Sequence, residues 1–324
     1  MGRNRTVIST VGVAAVVVAC LSAPPVQAAG SAAPMCDGQR VTITGTDGDD
    51  VIDGTSGDDV IAALGGDDVV RGYGGDDVIC AGDGDDMLRG GPGVDRLFGE
   101  EDTVTGDILI GDAGNDYLDG GGSYYADRIK YRTEPAGVQV DLRTGVVTTS
   151  RGTDTIIWTT RTPVIYGSAY ADVIFGSDGP DWIVGRGGDD TLNGRGFGDS
   201  LYGGGGADLI NGGPGTDYTL SGGPGDDVLD SGGSGYTTSM YGGQGDDHLI
   251  GTGGYDYGMY GGNGDDWIEG FGAADRLYGG PGDDRLDGGT GFDKGFASDG
   301  FDVCLSIERR EQCEKHRAVP DGRP

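Results

Sequence analysis

The chain has 324 residues, of which 71 are glycine, and its 22 lysines and arginines face 54 aspartates and glutamates, so the formal charge is −32. A charge of this sign and size repels nucleic acid and anionic lipid, which excludes both as partners held by charge attraction. Only 35% of the residues are hydrophobic. A single large core is therefore also excluded, because few apolar side chains are available to offset the ordering entropy, which is greatest for glycine.

Residues 1–28 have the pattern of a secretory signal peptide. Two arginines precede an apolar run over residues 7–21, and a small-residue cleavage site ends at Ala28. The run of about 15 residues is shorter than a bilayer span, and no later segment approaches that length. We therefore expect a secreted, extracellular protein with no membrane span. The alternative interpretation is a lipobox ending at Cys20, which would leave the protein lipid-anchored through that cysteine.

The sequence after the leader divides into nonapeptides with aspartate at position 6 and an aliphatic residue at position 8. The first array starts at Gly45 with GTDGDDVID (45–53), and the second starts at Gly167. Each nonapeptide combines a glycine-rich turn with three residues that are enough for a strand. If two nonapeptides form one coil, the position-8 side chains meet in a narrow stack between two sheets. The predicted fold is therefore all-β, a parallel β-roll or β-solenoid. The position-8 residues of the first array are Ile52, Ile61, Val70, Ile79, Leu88, Leu97, Leu109, Leu118 and Ile129.

Coiling also places position-6 aspartates that are 18 residues apart above one another, at the interstrand spacing of about 4.8 Å. Carboxylates stacked this closely repel unless a cation lies between them. Calcium suits such a stack because it accepts six to eight oxygen ligands from carboxylates and backbone carbonyls. The alternative, a solvated low-complexity tract that binds no specific ion, does not explain why aspartate stays in phase with the aliphatic residue. The position-5 aspartates, such as Asp49, are expected to be solvent-facing charges.

The repeat resembles the nonapeptide GGxGxDxUx of RTX proteins, the haemolysin-type calcium-binding repeat. GGPGDDVLD (222–230), GGNGDDWIE (261–269) and GGPGDDRLD (279–287) fit it position by position. With its leader, the whole chain is similar to small secreted RTX proteins of actinobacteria. The resemblance implies a calcium-loaded β-roll in which position-6 aspartates bridge successive ions and turn carbonyls complete each shell. The implied ligands are Asp50, Asp59, Asp68, Asp77, Asp86, Asp95, Asp172, Asp181, Asp190, Asp199, Asp208, Asp217, Asp266, Asp275, Asp284, Asp293 and Asp302.

Two irregular stretches interrupt the arrays. Ten-residue repeats break the phase near Asp227 and Asp256, and no ligands are assigned there. Between the arrays, residues 131–166 contain alternating apolar residues and a turn at Arg143 to Gly145, which predicts a β-rich insertion packed on the roll. An alternative interpretation of the aromatic residues here is an exposed carbohydrate-stacking surface. Its members would be Tyr124, Tyr125, Tyr131 and Trp158.

The predicted order of domains follows from these boundaries. It is a signal peptide (1–28), an N-terminal leader or cap (29–44), a first roll (45–130), the insertion (131–166), a second roll (167–303) and a C-terminal cap and tail (304–324).

Four cysteines remain once Cys20 is set aside, an even number that favours disulfides in an exported chain. Cys36 precedes the first repeat, and Cys80 closes the fourth repeat at position 9, where a strand residue points away from the stack. Cys304 and Cys313 flank a short charged segment after the last repeat. We therefore predict the bridges Cys36 to Cys80 and Cys304 to Cys313, each closing an end of the roll. The alternative is four free thiols.

The sequence gives little support for an enzyme. The repeats begin about 16 residues after the cleavage site, which leaves no room for a catalytic domain, and neither HExxH nor GxSxG is present. The only histidines are His248, within a repeat, and His316, in the tail. The remaining enzymatic interpretation is a polysaccharide lyase or epimerase. It would use the cluster Asp127, Arg128, Lys130, Tyr131 and Arg132.

We therefore interpret the chain as a secreted calcium-binding β-roll protein with a structural or interaction role and with folding coupled to calcium. The expected cofactor is Ca²⁺ in several copies. The expected partners are calcium ions and an extracellular glycan or a cell surface, with no nucleic acid. The alternatives are a polysaccharide-modifying enzyme and a cell-surface adhesin.

Overall fold

The computed structural model describes residues 34–101, 105–122, 126–158, 162–233 and 239–311. The predicted signal peptide, Cys20, Tyr124, Tyr125, Cys313 and His316 lie outside these residues. Within them the secondary structure is entirely β, with 32 strands. No helix of this part of the chain is long and apolar enough to cross a membrane.

Most strands have three residues, because glycine-rich turns occupy the rest of each nonapeptide. The first sixteen are β1 (Met35–Cys36), β2 (Gln39–Arg40), β3 (Ile43–Thr44), β4 (Val51–Asp53), β5 (Val60–Gly65), β6 (Val69–Arg71), β7 (Val78–Asp83), β8 (Met87–Pro92), β9 (Arg96–Glu101), β10 (Ile108–Ala113), β11 (Tyr117–Asp119), β12 (Arg128–Lys130), β13 (Gln139–Asp141), β14 (Val146–Thr148), β15 (Thr153–Ile157) and β16 (Val164–Tyr166). The other sixteen are β17 (Val173–Phe175), β18 (Trp182–Gly187), β19 (Thr191–Asn193), β20 (Ser200–Gly205), β21 (Leu209–Asn211), β22 (Thr219–Pro224), β23 (Val228–Asp230), β24 (Met240–Gln244), β25 (His248–Ile250), β26 (Met259–Asn263), β27 (Trp267–Glu269), β28 (Arg276–Tyr278), β29 (Arg285–Asp287), β30 (Lys294–Phe296), β31 (Val303–Leu305) and β32 (Arg309–Glu311).

The strands form two long sheets that the chain visits in turn. One sheet has 14 strands in the order β4-β6-β8-β10-β12-β16, followed by the even-numbered strands from β18 to β32. The other has 16 strands in the order β3-β5-β7-β9-β11-β15-β14-β13-β17, followed by the odd-numbered strands to β31. Regular coils pair in parallel with an 18-residue register, as in Ile61 with Ile79 and Ile183 with Leu201. The predicted parallel β-roll is confirmed.

The core is a stack of one position-8 side chain per strand, between the two sheets. All nine predicted stack residues of the first array are buried in one continuous cluster that extends to Leu286 and Cys304. Near the C-terminal end β30 has glycine at this position, Gly295. Ile307 fills the gap, since a Cβ on Gly295 would lie 3.2 Å from its Cγ2.

The insertion between the arrays is β-rich, as predicted, but it forms part of the roll instead of packing on it, so that part of the expectation is wrong. Its strands β13, β14 and β15 form an antiparallel meander within the 16-stranded sheet, with β15 parallel to β11 and β13 parallel to β17. Val140, Val147 and Ile156 are buried in the same core cluster as the repeats. The meander thus continues both the hydrogen bonding and the core, which leaves no open sheet edge at the interruption.

The bridge between Cys36 and Cys80 is confirmed. The two cysteines are disulfide-bonded, with their Cα atoms 5.8 Å apart. Cys80 lies outside the central stack, as predicted, in a separate buried cluster with Cys36 and Val78. The bridge ties the β1–β2 hairpin to the outer face of β7. Cys304 is also disulfide-bonded, but its predicted partner is outside the described residues, so the second pairing stays a prediction.

Removing the first bridge should destabilise the N-terminal end of the roll. The cysteines are 44 residues apart, and loop entropy for that separation corresponds to about 4 kcal/mol. We expect the Cys36→Ser/Cys80→Ser protein in calcium to unfold at a lower urea concentration, with faster amide exchange in β1 and β2. Peptide mapping of the native protein without reductant should recover the linked pair, and a different linkage of Cys80 would contradict the structure.

Candidate functional site

Position-6 aspartates form two rows along the roll, each row just before the strands of one sheet. Row 1 precedes strands of the 14-stranded sheet and contains Asp50, Asp68, Asp86, Asp107, Asp127, Asp181, Asp199, Asp217, Asp256, Asp275 and Asp293. Row 2 precedes strands of the 16-stranded sheet, except that Asp154 lies within β15, and it contains Asp59, Asp77, Asp95, Asp116, Asp154, Asp172, Asp190, Asp208, Asp227, Asp247, Asp266, Asp284 and Asp302.

Within each row the aspartates are linked through the backbone. The N–H of Asp172 donates to Oδ1 of Asp190 at 2.8 Å, and the N–H of Asp190 donates to Oδ1 of Asp208 at 2.8 Å. Asp68 and Asp86 have the same link at 2.7 Å. Each link is a hydrogen bond to a charged acceptor, which is shorter and stronger than a neutral one. The links hold one oxygen of each carboxylate and leave the second oxygen directed into the coil.

The second oxygen of the interior aspartates is buried and accepts no hydrogen bond. This holds for Oδ2 of Asp68, Asp77, Asp95, Asp116, Asp190, Asp199, Asp208, Asp227, Asp247, Asp266, Asp275, Asp284 and Asp293. A buried carboxylate oxygen without a partner is costly, and the cost repeats in coil after coil. Each of these oxygens would therefore be stabilised by a positively charged partner.

The glycine at position 1 shows where such a partner fits. A Cβ on Gly185 would lie 2.1 Å from Oδ2 of Asp190 and 2.7 Å from the carbonyl oxygen of Gly203. A carboxylate oxygen and a backbone carbonyl of the next coil therefore face the same small space, which only glycine leaves open. Both are hard oxygen donors, the type that Ca²⁺ prefers. The residues present thus fit calcium.

The acidic side chains do not form a metal site without the backbone. Among the described residues there is no group of three or more His, Cys, Asp or Glu side chains that could hold a metal ion. Neighbouring members of a row can supply carboxylate oxygens, and the turn carbonyls must supply others. Calcium accepts such a mixture, whereas sites for zinc use several nitrogen or sulfur ligands.

Burial makes the ionised form of these aspartates unfavourable. It raises the pKa of Asp77 to about 6 and that of Asp95 and Asp190 to about 8, although the backbone N–H bond to each lowers it. Carboxylates in the same row raise the pKa further. Full ionisation at neutral pH therefore requires bound cations or loss of the fold.

Five aspartates differ from the interior ones because a serine or threonine in the same turn donates hydrogen bonds to their carboxylates. At Asp172, the N–H of Ser168 donates to Oδ2 at 2.7 Å and the Ser168 hydroxyl donates to Oδ1 at 2.8 Å. In each case serine or threonine replaces the glycine at position 2. The pairs are Thr46 with Asp50, Thr55 with Asp59, Ser168 with Asp172, Ser177 with Asp181, and Thr252 with Asp256. Four of these aspartates are predicted ligands, but the turn already supplies part of the stabilisation that a cation would give.

The rows also include acidic residues that the 18-residue spacing missed. The N–H of Asp116 donates to Oδ1 of Asp154 in the insertion at 3.0 Å, 38 residues away. At the C-terminal end the N–H of Asp293 donates to Oε2 of Glu308 at 2.7 Å. The phase breaks of the second array do not interrupt row 2, because turns absorb the extra residues. The members missed or left unassigned are Asp107, Asp116, Asp127, Asp154, Asp227, Asp247, Asp256 and Glu308.

Beside the insertion, each row has one position that lacks an acidic residue. In row 1 it is Pro163, which supplies neither a carboxylate nor an N–H donor. In row 2 it is Val138, whose N–H still donates to Oδ1 of Asp172 at 2.7 Å. The two rows are therefore divided at the same level of the roll.

Position-5 aspartates lie outside these rows and face solvent. Asp49, Asp58 and Asp67 are exposed. Their carboxylates accept backbone N–H groups from the following coil, as Asp49 does from Asp67 at 3.0 Å. This outer row therefore contributes hydrogen bonds as well as surface charge.

Comparison with known families agrees with this geometry. Residues 44–79, 72–105, 103–123, 166–199, 190–218, 219–235, 239–257 and 260–294 match the family described as RTX calcium-binding nonapeptide repeat. The matches cover more than half of the chain. No curated protein matches it. The nonapeptides of this family are calcium-binding motifs, so several Ca²⁺ ions are the cofactor. The chain belongs to the RTX calcium-binding nonapeptide repeat family.

Proposed function

We propose that the chain is a secreted calcium-binding β-roll protein with a structural or interaction role, and that calcium binding is coupled to its folding. The buried Oδ2 atoms of the interior aspartates carry this proposal, because they accept no hydrogen bond from the protein, and those of Asp77, Asp190 and Asp199 lie beside a position-1 glycine and a backbone carbonyl of the next coil. Calcium there would neutralise the carboxylates and join neighbouring coils. We retain the seventeen aspartates implied by the sequence as ligands and add Asp116, Asp154, Asp227 and Asp247.

The disulfide supports an extracellular location. The bridge between Cys36 and Cys80 is of a kind that persists in oxidising compartments. Proteins with these repeats are typically extracellular, where calcium is high enough to load modules that bind at about 0.1 to 1 mM. Secretion through residues 1–28 is part of the proposal, with an extracellular glycan or a cell surface as partner.

The structure favours a non-catalytic role, because the residues considered for a lyase or epimerase do not converge. Tyr131 is only 3% exposed, next to the core, and Asp127 belongs to row 1. Arg128 and Lys130 flank inward-facing Ile129 and lie on the outer face of β12.

His248 also lies on an outer face, stacked on Trp267 at 4.1 Å. Its Nε2 is 3.0 Å from Oε2 of Glu269, which is a surface contact between neighbouring coils.

The ligand assignment predicts unequal effects of three neighbouring substitutions. Asp190→Asn removes the charge of an interior row member, and we expect calcium affinity to fall by about tenfold or more with a lower stoichiometry. Asp189→Asn changes an exposed position-5 residue and should leave affinity within about twofold. Asp172→Asn, where Ser168 already holds the carboxylate, should have an intermediate effect.

Isothermal titration of calcium into the three variants and the unchanged protein provides the measurement. Circular dichroism at saturating calcium shows whether each variant reaches the same fold. Equal losses at Asp189 and Asp190 would show that the assignment of position 6 is wrong. A loss at Asp172 as large as that at Asp190 would refute the distinction between turn-held and interior aspartates.

A further inference from the structure

A cleft of about 760 Å³ opens on one edge of the roll, beside the insertion. It is lined by Trp158, Trp182 and Tyr218 and by small residues such as Ala126 and Gly198. Apart from Trp158, which follows β15, the lining residues belong to β12, β16, β18, β20 and β22 or to the turns just before them. These are neighbouring strands of one sheet, so the cleft extends over four interstrand spacings, about 19 Å. It is long enough for a chain-like ligand.

The cleft coincides with irregularities in the repeat. Row 1 lacks its carboxylate at Pro163, between β12 and β16. Three coils further on, an extra residue makes a bulge, so that both Tyr218 and Thr219 donate their N–H groups to the carbonyl oxygen of Asp199. The bulge turns Tyr218 outward over Gly198, where a Cβ would lie 3.1 Å from the tyrosine ring. The insertion supplies Trp158, which packs partly against the core. Three departures from the repeat thus build one cleft.

The charge of the cleft differs from that of the rest of the molecule. In much of the roll position 5 is an exposed aspartate, but in the coils of the cleft it is not acidic. The residues at this position are Ala126, Thr162, Pro180, Gly198 and Thr216. Among the described residues that line the cleft, none is Lys, Arg or His, and the only carboxylate is that of Asp181, which is buried and held by Ser177. The surface is therefore nearly neutral within a chain of charge −32. Nothing in the described lining attracts an anion, and the negative charge of the chain repels one.

The aromatic rings of the cleft have faces that are open to a ligand. Trp182 is 50% exposed and Tyr218 is 60% exposed. Trp182 meets Tyr202 only in a tilted contact at 5.9 Å. By contrast, the other aromatic row of this sheet consists of parallel rings that cover one another, as Tyr260 and Tyr278 do at 4.5 Å. Such rings stabilise the sheet and offer only their edges to a ligand. The structure thus distinguishes packed aromatics from those available for binding.

We propose that this cleft binds a neutral oligosaccharide chain, an inference that rests on the extracellular glycan partner of the proposed function. A pyranose ring has an apolar face of C–H groups that lies well on Trp182 or Tyr218, and hydroxyl groups that match hydroxyl and backbone acceptors. The hydroxyls of Thr162 and Ser200 and the backbone of Gly179 and Gly198 lie at the cleft. Several sugar units are needed to occupy its length. The described lining offers no cationic residue to pair with an acidic sugar, and the charge of −32 on the chain repels one.

The test uses the full-length, calcium-loaded protein and four hexasaccharides. Three are neutral: cellohexaose, the hexamer of β-1,4-linked N-acetylglucosamine, and maltohexaose. The fourth, hexagalacturonate, is anionic. We expect at least one neutral hexamer to bind by isothermal titration and to change tryptophan fluorescence, whereas hexagalacturonate does not bind. Failure of all three neutral hexamers to bind, or equal binding of hexagalacturonate, would overturn the proposal.

Substitutions locate the binding site. Trp182→Ala and Tyr218→Ala should each weaken binding by about tenfold or more, because an aromatic anchor is lost. Trp267→Ala and Tyr241→Ala remove aromatics outside the cleft that are 40% and 42% exposed, and they should leave binding within about twofold. Circular dichroism in calcium confirms the fold of each variant, and either cleft substitution suffices if the other fails to fold. Unchanged binding in a folded cleft variant, or an equal loss in a control variant, would place the site elsewhere and refute the proposal.

Discussion

In calcium-free buffer at neutral pH, the chain is expected to be largely unfolded and to acquire its β-sheet circular dichroism signal as calcium rises through about 0.1 to 1 mM. The reason is the repeated burial of carboxylates such as Asp95 and Asp199, whose second oxygens have no donor in the protein. Each costs free energy when ionised, and the chain already carries a charge of −32. Calcium ions bound between the coils attract the carboxylates of both coils and so offset the repulsion between them.

The transition should be cooperative, because an ion placed between two coils stabilises both and prepares the next site. Magnesium at the same concentration provides a control. It requires compact octahedral geometry and gives up water reluctantly, so we expect little folding. An unchanged spectrum in excess chelator would contradict the coupling of folding to calcium. Gradual, non-cooperative folding would contradict the row arrangement.

The regular coils could be predicted because their determinants are local. Ile61, Ile183 and Leu201 recur two residues after an aspartate, and a period of nine residues allows few other structures. The insertion could not be placed in this way. Its strands β13 to β15 have ordinary alternation, which is equally suited to a hairpin on the surface and to a meander within the sheet. The hydrogen bonds to β11 and β17 that decide between these are non-local.

The same limit explains the incomplete prediction of the acidic rows. An 18-residue spacing identifies Asp172 and Asp190, but it misses Asp154, which joins its row 38 residues after Asp116. A chain can lengthen a turn without moving the strands that it connects, so sequence spacing is a poor guide wherever turns vary. Serine or threonine at position 2, as in Ser168, does indicate from the sequence which aspartates accept hydrogen bonds within their own turn.

Lowering the pH should partly replace calcium. In calcium-free buffer we expect the chain to gain β-structure as the pH falls from 8 to 5. Burial raises the pKa of Asp199 and Asp275 to about 8 and that of Asp227 to about 7, from an ordinary value of 3.8. Because the folded pKa is the higher one, the folded chain binds more protons than the unfolded chain between about pH 4 and 8. The free energy of unfolding without calcium therefore increases on acidification through that window and gains nothing further below about pH 4.

The calcium-loaded protein should respond in the opposite direction, because calcium binds the ionised carboxylates and competes with protons. The calcium concentration needed for half-maximal binding should therefore be higher at pH 5.5 than at pH 7.5. Buffers stripped of calcium on a resin are required, since chelators lose affinity in acid. Circular dichroism at fixed pH, without and with calcium, measures both effects. If the calcium-free chain is as unstructured at pH 5 as at pH 8, then repulsion and burial of the row carboxylates are not what keeps it unfolded, and the ions must act by another route.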